Sequence, residues 1–132
     1  MLTINKVDHI NLSIHPYRET IDFYKQVFGM KTFEEGDSHG SPYEIIGIPG
    51  KLFLCLYESS PGPQEGAQNG GVNHLGIHIE NFDQAKKDLI EQGIELHYGG
   101  EVHYPKSRSL YIEDPSGNAI ELSESFAGGL GA

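Results

Sequence analysis

The chain predicts an α+β fold: two βαβββ modules in one domain of residues 1–132, their strands building a curved mixed sheet with a cup on its inner face. Two observations predict it. Val7-Asp8-His9-Ile10-Asn11-Leu12-Ser13-Ile14 alternates polar and apolar residues, and Val72-Asn73-His74-Leu75-Gly76-Ile77-His78-Ile79 repeats the pattern 65 positions later in the same phase. Each strand is then followed by one amphipathic helical stretch and three short strand candidates, so the whole unit is duplicated.

In the first copy, about residues 4–57, Tyr17, Ile21, Tyr24 and Phe28 recur at spacings of three and four, with Thr20, Phe23 and Val27 widening the stripe. Gly29 is the expected stop, because glycine tolerates the left-handed backbone that ends helices. Strands are expected over 31–36, 42–48 and 51–57. In the second copy, about 72–123, Phe82, Ala85 and Leu89 mark a helix over 82–92 that stops at Gly93, with strands over 94–98, 107–113 and 118–123. Residues 58–71, rich in Ser, Pro and Gly, are the linker between modules. Residues 124–132 form a flexible tail.

Composition narrows the function. A formal charge of −10 with nine scattered Lys and Arg opposes a phosphate backbone, which excludes nucleic acid as the expected partner and leaves a small molecule. The N-terminus has no basic-then-apolar leader and no apolar run reaches the roughly 18 residues of a membrane span, so a soluble cytoplasmic protein without membrane contact is expected. Cys55 is the only cysteine, which excludes an intrachain disulfide and a thiolate-rich zinc site. It is expected to pack as a small apolar residue.

Strand alternation then sorts the side chains. His9, Asn11 and Ser13 share one face of the first strand, as do His74, Gly76 and His78 of its repeat. Phe53, Cys55 and Tyr57 face away from the first helix, and Ala119, Glu121 and Ser123 away from the second. Cys55 and Glu121 lie 66 residues apart and are equivalent in the repeat, as are His9 and His74. If two such units pack by pseudo-symmetry, His9, His74 and Glu121 can meet in one cup. Two imidazoles and one carboxylate with positions left open suit Fe(II), then Mn(II), and open positions admit an oxygen ligand to the ion. Asn11, Phe53, Cys55 and Tyr57 are the expected substrate pocket. Lys106 and Arg108 are candidates to receive an anionic substrate.

Over residues 4–123 these features resemble the vicinal-oxygen-chelate superfamily, which includes glyoxalase I, extradiol ring-cleavage dioxygenases, fosfomycin-resistance proteins and bleomycin-binding proteins. The superfamily's strand-one histidines fall on His9 and His74 and its last-strand carboxylate on Glu121. The run from His103 through Tyr111 and Asp114-Pro115-Ser116-Gly117 to Glu121 is similar to the extradiol signature, with Glu101 standing where that signature has a small or aliphatic residue. The resemblance implies that His103 and Tyr111 sit beside the metal and handle substrate or oxygen, and that the protein forms a homodimer. His78, two residues beyond His74, is a candidate for proton transfer.

The expected activity is thus that of a metal-dependent enzyme resembling extradiol dioxygenases, chelating vicinal oxygens of a small substrate. One alternative is a glyoxalase I-like isomerase or lyase, with Ni(II) or Zn(II), or a fosfomycin-type thiol transferase. Cys55 falls where glyoxalase I has a fourth ligand, a Glu. Leu54-Cys55-Leu56 resembles the fosfomycin enzymes, but residues 123–132 contain no Lys or Arg. Another alternative is a metal-free protein that binds an aromatic small molecule or antibiotic between Phe53, Tyr57 and Tyr111.

Overall fold

The computed structural model describes residues 1–60 and 70–131. The chain divides into two compact units, residues 1–62 and 63–132, and the boundary falls inside the expected linker. Residues 61–69 of that linker lie outside the described residues. Each unit has the order βαβββ, and the backbone ladders define one four-stranded mixed sheet per unit. No helix among the described residues is long and apolar enough to cross a membrane.

Unit one runs β1 (Ile10–Ile14), α1 (Tyr17–Phe28), β2 (Lys31–Ser38), β3 (Ser41–Ile48) and β4 (Leu52–Glu58). The sheet order is β1-β4-β3-β2, with β1 parallel to β4 and the other pairs antiparallel. Gly29 ends α1 as expected: its φ is 70° and its N–H bonds the carbonyl of Lys25. The apolar stripe of α1 is buried at Ile21 and Tyr24, together with Ile14, Ile46, Leu54 and Leu56 of the sheet. Deep burial of six such side chains stabilises the unit by about 1.5–3 kcal/mol each before entropy is charged against it. Gly47 is required by close approach, since a Cβ there would lie 2.4 Å from the Leu52 carbonyl oxygen and 2.6 Å from the Phe53 ring.

One carboxylate shares this apolar layer. Glu44 is 1% exposed and meets Lys25 at 3.0 Å and Arg18 at 3.2 Å, both from α1, and Thr32 at 2.6 Å from β2. Burial alone pushes its ionisation up. The Thr32 hydroxyl and the two cations outweigh burial and hold the carboxyl below its ordinary value.

Unit two runs β5 (Leu75–His78), α2 (Phe82–Glu91), β6 (Val102–Tyr104), β7 (Ser107–Glu113) and β8 (Ala119–Ser123). Its order, β5-β8-β7-β6, repeats that of unit one, again with only the first pair parallel. Phe82, Leu89, Leu110, Ile112, Ile120 and Leu122 are its buried apolar residues. Asp114 closes the β7–β8 turn by accepting bonds from the Ser116 and Asn118 backbone N–H groups, 2.9 Å each, as the Asp-Pro-Ser-Gly composition leads one to expect.

Three elements depart from their expected boundaries. The strand expected over 94–98 is absent, and its place in the sheet is taken by Val102–Tyr104. Tyr98, Gly99 and Gly100 all have positive φ, at 57°, 77° and 110°, which turns the chain through a 3-10 segment and delays the extended stretch. The first strand of each module also starts later than the alternation suggests, so His9 and His74 stand one residue ahead of β1 and β5.

Candidate functional site

The registers give physical meaning to the repeat. Asn11, two residues after His9, pairs with Cys55, and Gly76, two residues after His74, pairs with Glu121. Each histidine therefore holds the same place relative to the last strand of its own module. The absence of a side chain at Gly76 leaves open the space beside Glu121: a Cβ there would meet nothing within 4 Å.

In unit two, two of the three expected ligands, His74 and Glu121, come together. His74 Nε2 lies 2.9 Å from Glu121 Oε1, and His74 Nδ1 lies 2.8 Å from Asn73 Oδ1. With Nδ1–H given to Asn73, the Nε2 lone pair faces a carboxylate oxygen. Two electron-pair donors at that separation require a proton or a cation between them, and an outer oxygen partner on Nδ1 is the usual support of a metal-binding imidazole. The second carboxylate oxygen accepts a 2.7 Å bond from Ser109 Oγ, and Glu121 is only 8% exposed. The donor set thus fits two ligands of a divalent cation. Among the described residues no group of three His, Cys, Asp or Glu forms a complete set.

Tyr111 pairs with Glu121 in the ladder and so shares its face. Its ring lies edge-on to His74 with centroids 6.1 Å apart, and to Tyr98 at 5.2 Å. Its hydroxyl is 2.5 Å from that of Tyr104. Burial, the Tyr104 hydroxyl and the Glu121 charge all push Tyr111 ionisation upward, so it stays a neutral phenol. His78 pairs with Ser123. With His74, Gly76, Ile77, Glu121, Ser123, Phe126 and Gly131 it lines a cavity of about 280 Å³. The last two come from the C-terminal segment, where Phe126–Gly128 form a 3-10 turn.

His103 is placed elsewhere. It pairs with Arg108, whereas Val102 pairs with Ser109, so His103 projects from the face opposite Tyr111 and Glu121. It is exposed and its Nε2 is 3.5 Å from Glu101. Glu101 in turn is held below its ordinary carboxyl value by hydrogen bonds from Lys86 and then Arg108. Arg108 does not reach out to solvent as an anion receptor. Glu101, Asp83 and Glu124 hold its guanidinium at 3.0, 3.0 and 2.8 Å, and it stacks 4.3 Å over the Phe82 ring. The guanidinium joins α2 to the sheet.

The remaining expected residues belong to unit one. His9 is exposed and bonds Asp8 through Nδ1. Asn11, Cys55 and Tyr57 fall on one face by register, Tyr57 stacking on Tyr43 at 5.3 Å, and Phe53 packs edge-on against Phe33 at 5.4 Å. Burial raises the Cys55 thiol, a rise that a Tyr57 hydrogen bond partly offsets. Tyr98, Tyr104 and Ser109 were missed in the sequence. Alternation along β7 carries a signal for Ser109, two residues from Tyr111, but Tyr98 reaches Tyr111 only through its left-handed backbone.

A model of the Glyoxalase/Bleomycin resistance protein/Dioxygenase superfamily matches residues 6–122. The chain is 25% identical over 123 residues to the metallothiol transferase FosB of Lysinibacillus sphaericus, covering 92% of this chain and 83% of that protein. It is 27% identical over 132 residues to catechol-2,3-dioxygenase of Bacillus subtilis, covering 92% of this chain but 43% of that protein. The solved fosfomycin resistance protein FosX of Listeria monocytogenes, complexed with Mn(II) and sulfate, superposes with a TM-score of 0.68 at 20% identity, covering 93% and 94% of the two chains. With its duplicated βαβββ modules and a family match spanning nearly all of both, the chain belongs to the glyoxalase/bleomycin resistance protein/dioxygenase superfamily.

Proposed function

We propose that the protein is a divalent-metal-dependent enzyme that binds two neighbouring oxygens of a small substrate at a centre built on His74 and Glu121, with Fe(II) or Mn(II) as the metal. The observation that carries this reading is the convergence of His74 Nε2 and Glu121 Oε1 at 2.9 Å in a cavity with a buried, Ser109-bonded carboxylate. The repeat nominates His9 as the third ligand. When bound, the metal supplies Lewis acidity and open coordination positions. The chain's own residues do the rest: Ser109 fixes the carboxylate, Asn73 orients the imidazole, neutral Tyr111 donates a hydrogen bond to substrate oxygen, and His78 exchanges a proton at the cavity wall.

Ring cleavage of a catechol-type substrate by dioxygen is the leading reaction, supported by the phenol pair Tyr104–Tyr111 beside Glu121. A second reading, addition or isomerisation without oxygen, is favoured by the placement of His103 on the other face, since one element of the dioxygenase signature then lies off the site. Elemental analysis of protein purified without tag or added metal, repeated on Glu121→Ala, tests the centre. Near-stoichiometric iron or manganese that the variant loses is expected, and full retention by the variant sinks the site. Oxygen uptake with catechol then separates the two reactions. Loss of metal in His9→Ala is the expected sign of the third ligand.

A further inference from the structure

We infer that Ser123 selects the ligand of the unit-two cavity, its hydroxyl hydrogen-bonding a neutral oxygen-bearing substituent on a small molecule whose paired oxygens lie at His74 and Glu121. The inference rests on the proposed metal centre and adds to it the residue that discriminates among ligands.

Ser123 is 4% exposed and lines the cavity beside His78, Glu121 and Phe126. Its Oγ is the one buried side-chain polar atom among the described residues for which the protein supplies no hydrogen-bond partner. A buried hydroxyl left in that condition lacks the hydrogen bond that ordinarily compensates its removal from water. Nearby serines on the same sheet are all engaged. Ser109, 1% exposed and directly across the ladder, donates to Glu121, and Ser107 Oγ accepts from the Ser125 N–H at 3.0 Å. The unsatisfied group is therefore specific to the position that faces the cavity.

Its place in the strand sets the shape of the ligand. Ser123 follows Glu121 by two residues, so the two project from one face about 7 Å apart along β8. A single-ring compound chelated at one end can reach the hydroxyl with a short substituent at the other. A hydroxyl both donates and accepts, which suits an alcohol or carbonyl substituent. Phe126 and Gly131 from the C-terminal segment complete the wall, and a cavity of about 280 Å³ has room for one ring and little else.

The test is anaerobic calorimetric titration of catechol and of 3,4-dihydroxybenzyl alcohol, which differs by one hydroxymethyl group. It is run on wild type and Ser123→Ala, each with and without Mn(II). Wild type is expected to prefer the benzyl alcohol by about five- to tenfold, the worth of one hydrogen bond. The preference should vanish in Ser123→Ala while Mn(II) affinity stays the same. The melting temperature of the variant should equal or exceed that of wild type, because no protein hydrogen bond is removed. Equal preference in both proteins, or a variant that melts several degrees lower, overturns the inference. Absence of Mn(II) binding in wild type overturns the metal centre instead, and the metal-free titrations then decide Ser123 by the same criterion.

Discussion

The bond from Ser109 to Glu121 shows how a single hydroxyl orients the carboxylate proposed as a metal ligand. Glu121 presents Oε1 to His74 because Oε2 is occupied at 2.7 Å. Outer partners of this kind are worth about 10–100-fold in metal affinity. Ser109→Ala is therefore expected to weaken Mn(II) binding by about tenfold or more, read by titration against a competing chelator, and an unchanged affinity would remove Ser109 from the centre. Cys55 offers a second residue-scale case. Burial keeps it a thiol at neutral pH, so labelling by a thiol-specific disulfide reagent at pH 7 should be much slower in the folded protein than in urea. Equal rates would show that the side chain is accessible and ionised.

At the scale of elements, α1 and its sheet are joined by charge as well as by apolar packing. Glu44 ionises more readily folded than its ordinary value of 4.5, so it adds stability that is present above about pH 4.5 and is lost as pH falls through its lower folded value. Glu44→Gln removes the charge while Lys25, Arg18 and Thr32 remain, and a loss of about 1–3 kcal/mol at pH 7 is expected. Urea unfolding at pH 7 and again below pH 4 checks the sign, since the gap between variant and wild type must shrink on acidification. Gly47 tests packing without charge. Gly47→Ala drives a methyl group into the Leu52 carbonyl and the Phe53 ring, and the melting temperature should fall by several degrees, equivalent to about 1–3 kcal/mol. An unshifted melting curve would mean that the β3–β4 hairpin yields freely.

For the whole molecule, the proposed metal centre carries a consequence for stability, because an ion held only by the folded protein raises the free energy of unfolding. At a hundred times its dissociation constant the gain is about 2.7 kcal/mol. Mn(II) should therefore raise the melting temperature of wild type, a chelator should reverse the rise, and Glu121→Ala should show neither. The acidic chain, with a net charge of −10, also attracts cations without specificity, so Mg(II) at equal concentration serves as the control. A shift common to both ions would assign the effect to screening.

Elements and repeat were legible in the residue order because they depend on local patterns. Alternation marked the strands, a three-and-four spacing marked both helices, and Gly29 marked a helix end that its φ of 70° confirms. The likeness of His9 to His74 and of Cys55 to Glu121 likewise needs only counting, and the ladder registers agree with it. Other features depended on where backbone turns sent the chain. Three successive positive φ angles at Tyr98–Gly100 displaced the third strand of module two to Val102–Tyr104. That register put His103 with Arg108 on one face and Tyr104 with Tyr111 on the other. A shift of one residue in a strand exchanges its faces, so the motif could name His103 and Tyr111 together but could not tell that they part. Residue order thus determined the modules and the equivalence of positions between them, whereas tertiary structure alone decided which hydroxyl reaches Glu121 and which is left without a protein partner, because hydrogen-bond partners are set by register across strands and not by neighbours along the chain.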